Sequence, residues 1–180
     1  REAAELDRKA LDILNQQDSL NSTERQLFCN ISSNLSLWYT RLQQPQRAYE
    51  QMKLGLQLLS EGQVEVSRNT IPQILNFSII AANLGRPEEG IPYLQMLRKL
   101  YQQQQMTEGS DYAEVTYRLG TLYLAAGQPK AAKDFLEEAW QIFKTVYADQ
   151  TKLLEEKKAF YRTLLQMLGA QFLPDPQSLT

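Results

Sequence analysis

Histidine is absent from this chain of 180 residues, and there is only one cysteine, Cys29. Histidine is the commonest general base and metal ligand in proteins, so its absence argues against most hydrolytic and zinc chemistry. A single cysteine excludes an internal disulfide, which fits the cytoplasm or, as an alternative, a bacterial periplasm. We therefore expect no cofactor, no metal and no enzymatic activity, and we expect Cys29 to be a small core residue.

An excess of basic charge and long apolar runs are also lacking. The 19 lysines and arginines are opposed by 21 aspartates and glutamates, which gives a formal net charge of −2. A nucleic-acid surface normally shows a basic excess or stripe, so no nucleic-acid partner is expected. No apolar stretch approaches the roughly 20 residues that cross a bilayer, so no membrane span is expected either.

Three prolines recur at intervals of 42 residues, at Pro45, Pro87 and Pro129. Each proline follows a Gln or Gly by two residues and precedes a small residue by three. These flanking positions are Gln43, Gly85 and Gly127 before the prolines, and Ala48, Gly90 and Ala132 after them. A whole pattern that recurs at a fixed period indicates a repeat protein.

The pattern predicts a helix, a tight turn and a second helix in every repeat. Glycine just past a helix adopts the left-handed backbone that ends it, and proline suits the first turn of the next helix. The small residue then lets the two helices approach closely, and apolar residues follow at helical spacing. The sequence therefore predicts an all-α fold with no strand.

Helices are predicted at residues 2–16, 23–42, 45–61, 70–84, 87–105, 111–126, 129–147 and 150–168. Asn21 with Glu24 predicts a capping box at the start of the second helix. Ser110 or Asp111 is the predicted N-cap of helix 111–126.

These helices are expected to form a single array over residues 1–171. Its parts are a partial unit at 2–16, repeats at 22–63, 64–105 and 106–147, a terminal helix at 150–168, and a tail or linker at 172–180. Because the chain opens at Arg1 within a helical pattern, we expect it to be a piece of a longer protein.

The third repeat resembles a tetratricopeptide repeat. The family's Leu-Gly pair, first-helix tyrosine and packing alanines correspond to Leu119, Gly120, Tyr123, Ala132 and Ala139. The other two repeats have Ser36 and Ser78 in place of the glycine. A period of 42 exceeds the family's usual length of about 34 residues and resembles the repeats of kinesin light chains and bacterial peptide-sensing regulators. The resemblance implies a right-handed superhelical solenoid of antiparallel helix pairs.

In the resembled family the first helices of the repeats line a concave groove that binds a protein or peptide. Carried over by register, the resemblance implies partner contacts from Asn30, Asn34, Arg41, Asn76, Asn83, Tyr117, Arg118 and Thr121, with Leu37 and Ile79 as apolar neighbours. Asn34 and Asn76 lie one period apart. An amide offers a donor and an acceptor, which suits a peptide backbone. Arg118 takes the equivalent place in the third repeat and suits an acidic side chain or a terminal carboxylate.

Two functional hypotheses remain open at this point. In the first, the chain is a protein- or peptide-binding module, the sensory or regulatory part of a larger protein such as a bacterial signalling protein. In the second, it is a structural spacer or dimerisation scaffold with no groove ligand, and a homodimer is expected.

Overall fold

The computed structural model describes residues 2–17, 19–67 and 70–167. These residues form eight α-helices and no strand, which confirms the predicted all-α class. Every helix agrees with its predicted bounds to within two residues. The helices are α1 (Glu2–Asn15), α2 (Ser22–Arg41), α3 (Pro45–Ser60), α4 (Ile71–Asn83), α5 (Pro87–Gln103), α6 (Ser110–Ala125), α7 (Pro129–Val146) and α8 (Thr151–Met167).

The chain divides into two compact units, Arg1–Tyr93 and Leu94–Thr180, called here the N-terminal and C-terminal units. The N-terminal unit contains α1 to α4 and the first residues of α5. The C-terminal unit contains the remainder of α5 and α6 to α8. The predicted tail or linker at 172–180 lies outside the described residues.

The start of α2 is fixed by the predicted capping box. Asn21 Oδ1 accepts a hydrogen bond from the Glu24 backbone N–H at 3.0 Å, and Glu24 Oε2 accepts one from the Asn21 N–H at 2.8 Å. Two amides at the helix start thereby gain acceptors that the helix itself cannot supply. The local sequence is therefore enough to place the beginning of α2.

The predicted cap of α6 is wrong. The helix begins at Ser110, so Gly109 is its N-cap residue, and no side chain caps it. Ser110 is already helical, and a capping side chain acts from the extended residue before the helix. Asp111 nevertheless lies in the first turn, where a negative charge interacts favourably with the helix dipole.

The turns inside the helix pairs have the predicted left-handed residue. Gly85 has φ of 72° and Gly127 has φ of 70°, as the glycine pattern predicts. Gln43, the equivalent residue of the first repeat, adopts φ of 57° despite its side chain. The turn geometry is therefore common to all three repeats, and its cost is greater at Gln43 because L-residues other than glycine are disfavoured there.

In two of the helix pairs, α2–α3 and α6–α7, the helices approach closely at small residues. In α2 and α3, the Cys29 thiol donates a hydrogen bond to the Gly55 carbonyl at 3.0 Å. In α6 and α7, a Cβ placed on Gly120 would lie 2.7 Å from Leu136 Cγ and 3.2 Å from the Ala132 carbonyl oxygen. No room for a side chain remains at Gly120, so glycine is required there by the approach of α7.

Each unit has its own apolar core. The N-terminal unit joins α1 to α2 through buried Leu11, Leu14, Phe28, Ile31 and Leu35. The C-terminal unit joins α6, α7 and α8 through buried Ala113, Ala132, Leu136, Ala139, Trp140, Phe143 and Tyr161. Trp140 and Tyr161 stack with ring centroids 5.3 Å apart, which attaches α8 to α7.

The substitution Ala132→Leu tests the packing of α6 against α7. Ala132 is fully buried, so three more carbon atoms must displace α6. We expect the free energy of unfolding to fall by about 1–3 kcal/mol, measured by urea denaturation. Ala125→Leu, at an exposed position of α6, is the control and should change it by less than about 0.5 kcal/mol. Equal stability of the two variants would contradict the close approach.

The reactivity of Cys29 tests the core of the N-terminal unit. Its side chain is 1% exposed, and burial raises the pKa of the thiol from 9.0 to about 11. Only the thiolate is nucleophilic, so the higher pKa alone should slow alkylation by iodoacetamide at pH 8 about 100-fold. We expect slow alkylation of the folded chain and fast alkylation in urea, measured by mass spectrometry. Rapid modification of the folded chain would show that Cys29 is accessible.

Candidate protein-interaction surface

On the side of helix α2 that faces away from the protein core, polar side chains and one leucine lie together. Residues at the core positions are buried, including Phe28, Cys29, Ser32, Leu35 and Ser36. The opposite positions recur at spacings of three and four, which keeps them on one side of a helix. They are Asn30, Asn34, Leu37 and Arg41, of which all but half-buried Asn30 are exposed.

Helix α4 repeats this arrangement. Its core side includes buried Ile74, Phe77, Ser78 and Ala81. Its opposite side carries half-buried Asn76 and exposed Ile79 and Asn83. The predicted lining residues of the N-terminal unit therefore lie on the two first helices, away from the core.

Three pairs of residues on this face are one period apart. Asn34 corresponds to Asn76, Leu37 to Ile79, and Arg41 to Asn83. Leu37 is 43% exposed and Ile79 is 42% exposed, so both repeats leave an aliphatic side chain in solvent beside the asparagine. We call the set Asn34, Leu37, Arg41, Asn76, Ile79 and Asn83 the first-helix face.

The amides of Asn34 and Asn76 form no hydrogen bond with any described residue. Each therefore retains the donor and acceptor capacity that a ligand backbone requires. Asn30 differs, because its Oδ1 accepts long hydrogen bonds from Gln26 Nε2 at 3.3 Å and from buried Gln73 Nε2 at 3.4 Å. Asn30 thus links α2 to α4, and its carbonyl is less available to a partner.

In the C-terminal unit the predicted residues are bound to one another and to their neighbours. Thr121 Oγ1 donates to the Arg118 carbonyl at 2.7 Å. The Tyr117 ring packs on Phe143 with centroids 6.1 Å apart, and burial, with a smaller effect of Glu114, raises the pKa of Tyr117. Thr121 and Tyr117, which the repeat register predicts to contact a ligand, therefore already have partners within the protein.

Glu114 is the centre of this cluster, although the register did not point to it. Its Oε1 lies 2.9 Å from Arg118 Nε, and its Oε2 accepts a hydrogen bond from Lys157 Nζ at 2.7 Å. Lys157 also lies over the ring of Phe143, 4.7 Å from its centroid. One carboxylate therefore neutralises much of the positive charge of two cations on α6 and α8.

Arg118 was predicted to be available to an acidic ligand, but in the structure it is paired with Glu114. The Glu114 and Arg118 spacing of four residues is a recognisable helical ion pair in the sequence. The contribution of Lys157 was not recognisable, because it depends on α8 packing beside α6.

Successive second helices are joined by ion pairs within each unit. In the N-terminal unit, Glu89 of α5 accepts a hydrogen bond from the Tyr49 hydroxyl of α3 and lies 2.6 Å from Lys53 Nζ. The hydrogen bond from Lys53, and then that from Tyr49, lowers the pKa of Glu89. These contacts hold the second helices together and leave the first helices to present the exposed face.

An equivalent cluster joins α5 and α7 in the C-terminal unit. Arg98 Nη2 lies 2.9 and 2.7 Å from the two carboxylate oxygens of Glu138, and the Tyr112 hydroxyl donates to Glu138 Oε1 at 2.6 Å. Burial, followed by the bond to Glu138, raises the pKa of Tyr112. In both units, therefore, a glutamate on a second helix binds one cationic side chain and one tyrosine hydroxyl. This glutamate is Glu89 in the N-terminal unit and Glu138 in the C-terminal unit.

Residues 2–17, 19–67 and 70–167 contain neither a metal-binding cluster nor a membrane-spanning helix. No group of three or more Cys, Asp or Glu side chains there is arranged to hold a metal ion. None of the helices in these ranges combines the length and apolar content needed to cross a membrane.

Comparison with known proteins identifies the repeat. Residues 70–145 match the tetratricopeptide repeat family. The crystal structure of BtubC (BKLC) from P. vanneervenii is similar with a TM-score of 0.61, over 98% of this chain and 76% of that one, at 21% identity. No curated protein sequence matches the chain. The all-α repeat fold and the tetratricopeptide resemblance are thereby confirmed. The chain therefore has the fold of a helical-repeat protein, and its residues 70–145 match the tetratricopeptide repeat family.

Proposed function

We propose that this chain binds an extended segment of a partner protein on the first-helix face of its N-terminal unit. Tetratricopeptide repeats are in general protein-interaction scaffolds, which supports a protein partner. The observation that carries the finer proposal is the repetition of an uncommitted amide and an exposed aliphatic side chain on α2 and α4.

The chemistry of this face suits a peptide backbone. An asparagine amide can donate to a backbone carbonyl and accept from a backbone N–H, so that two such amides clasp an extended chain without reading its side chains. Leu37 and Ile79 add apolar contact to the segment's own side chains. Specificity would then come from the residues around the amides, among them exposed Arg41 and Asn83.

The C-terminal unit contributes less to this proposal. Arg118 and Lys157 are engaged with Glu114, so a ligand at Tyr117, Arg118 and Thr121 would have to replace an existing ion pair. We assign the repeats to residues 22–63, 64–105 and 106–147, with the polar ligand contacts concentrated in the first two. As part of a larger protein, such a module would have a sensory or regulatory role.

A scaffold role is the second candidate, and helix α1 favours it. Leu6 and Ile13 are each 62% exposed, lie two helical turns apart on one side of α1, and do not belong to the core that α1 shares with α2. An aliphatic pair of this kind can join two copies of the chain. Light scattering at several concentrations separates the candidates, because only the scaffold requires a dimer that Leu6→Ser with Ile13→Ser disrupts.

The double substitution Asn34→Ala with Asn76→Ala tests the proposed peptide contact. The probe is the tightest binder selected from a library of immobilised random-sequence peptides, measured by fluorescence anisotropy. We expect the dissociation constant to rise roughly 10- to 100-fold, since up to four hydrogen bonds are lost. The melting temperature should change by less than about 2 °C, because neither amide is bonded to the described protein.

The matched control is Gln57→Ala, which removes an exposed amide from α3. It should leave peptide affinity and stability unchanged. The proposal fails if no peptide in the library binds, or if the control weakens binding as much as the double substitution. A large fall in melting temperature for Asn34→Ala with Asn76→Ala would assign the two asparagines a structural role.

A further inference from the structure

A second candidate surface lies where α2 turns into α3, next to Arg41 at the end of the first-helix face. It is a cleft of about 320 Å³ between the first turns of α1, the end of α2 and the start of α3. Its lining includes Glu5 and Arg8 from α1, Trp38 and Tyr39 from α2, Leu42 directly after α2, and Arg47 from α3. All these residues belong to the N-terminal unit.

The two arginines of the cleft have no carboxylate partner among the described residues. Arg47 Nη1 donates only to Gln44 Oε1, at 3.2 Å, and Arg8 forms no hydrogen bond there. Glu5 lines the same cleft but pairs with neither of them. Arg98 and Arg118, in contrast, each have a glutamate within 3 Å. The cleft therefore has guanidinium groups whose donors are available.

Aromatic rings form part of the cleft and orient the arginines near it. The Arg47 guanidinium lies 5.9 Å from the Tyr39 ring centroid, and the Arg41 guanidinium lies 5.5 Å from that of Trp38. Such stacking restricts a guanidinium without occupying its N–H donors, so less freedom is lost when an anion binds. Leu42 is 49% exposed and adds an apolar surface beside Trp38.

The charge of this region opposes that of the whole chain. Among the residues that line the cleft, Arg8 and Arg47 are opposed by Glu5 alone, which leaves one excess positive charge, whereas the chain has a net charge of −2. In addition, Gln44 precedes α3 and no side chain caps that helix, so its positive end adds to the local potential. An anion is the ligand that this arrangement attracts.

We propose that this cleft binds an acidic segment of a partner protein. A glutamate or aspartate carboxylate of that segment is held by Arg8 and Arg47, and a neighbouring apolar side chain packs on Trp38 and Leu42. Planar guanidinium groups match a carboxylate with two parallel hydrogen bonds, and the adjacent apolar surface favours a peptide over a small free anion. The site is separate from Asn34 and Asn76 and does not depend on their proposed function.

The test uses three fluorescein-labelled peptides of equal length in anisotropy titrations with the full chain. The first alternates glutamate with leucine, the second alternates glutamine with leucine, and the third alternates glutamate with serine. We expect the glutamate–leucine peptide to bind roughly tenfold more tightly than either of the others, because it alone supplies both contacts.

Charge-matched variants separate the cleft from general electrostatic attraction. Arg8→Gln with Arg47→Gln should weaken binding of the glutamate–leucine peptide about tenfold or more. Lys99→Gln with Arg162→Gln makes the same change of net charge at exposed positions elsewhere and should have less than about a twofold effect. The Asn34→Ala, Asn76→Ala background removes the backbone contact proposed for the first-helix face, and the loss of binding caused by Arg8→Gln with Arg47→Gln should persist in that background.

A second pair of variants checks the binding geometry. Arg8→Lys with Arg47→Lys keeps the charge and removes the planar donor pair, so binding should still weaken by several-fold. In a Trp140→Phe background Trp38 is the one remaining tryptophan, and its emission should change on binding. Circular dichroism confirms that each variant is folded, and the lysine variants provide the measurement if the glutamine variants unfold.

Several results would overturn the proposal. The glutamine–leucine peptide could bind as tightly as the glutamate–leucine peptide, or the Lys99→Gln with Arg162→Gln control could lose as much affinity as Arg8→Gln with Arg47→Gln. Binding of the glutamate–leucine peptide could also fail to saturate, or could be unchanged in the lysine variants. Inorganic phosphate that displaces the peptide at equal concentration would show a site for a small free anion instead of an acidic peptide.

Discussion

The contact between the two helices of a repeat is the constraint on which the rest of the structure depends. At Gly120 the backbone of α6 comes so near to Leu136 and the Ala132 carbonyl that a methyl group has no room. Between α3 and α2 the approach is somewhat looser, since a Cβ on Gly55 would lie 3.1 Å from Ser32 Cβ and 3.4 Å from Cys29 Cα. Once the helices are held this near, the rotation of each about its axis is fixed. That rotation decides which side chains are buried and which are presented to a partner.

The two units are alike in their second helices and differ in their first helices. In both units a glutamate, Glu89 or Glu138, joins the second helices by binding a cation and a tyrosine. The polar side chains of the first helices differ in whether they have partners within the protein. The N-terminal unit leaves Asn34 and Asn76 without internal partners, whereas Glu114 in the C-terminal unit engages the cations beside it. Among the described residues of the predicted groove, the asparagines without an internal hydrogen bond therefore lie on α2 and α4.

Much of the fold could be predicted from the sequence because its signals are local. The register of Pro45, Pro87 and Pro129, and the capping box at Asn21, depend on residues only a few positions apart. The candidate surface was harder to predict. Exposure of Asn34 follows from helical periodicity, but the ion pair from Lys157 to Glu114 joins residues 43 positions apart and requires knowledge of helix packing. The cleft at Arg8 and Arg47 was missed for the same reason, since it combines three helices.

The hydrogen bond from Cys29 to Gly55 spans only 26 positions of the chain. Contacts of such short separation are reached by closing small loops, whose entropic cost rises slowly with length. Topologies rich in near-neighbour contacts of this kind fold quickly compared with those that must first bring distant strands together. The close contact that excludes a methyl group from Gly120 is likewise made between two neighbouring helices, so it belongs to the class of contacts that favours fast folding.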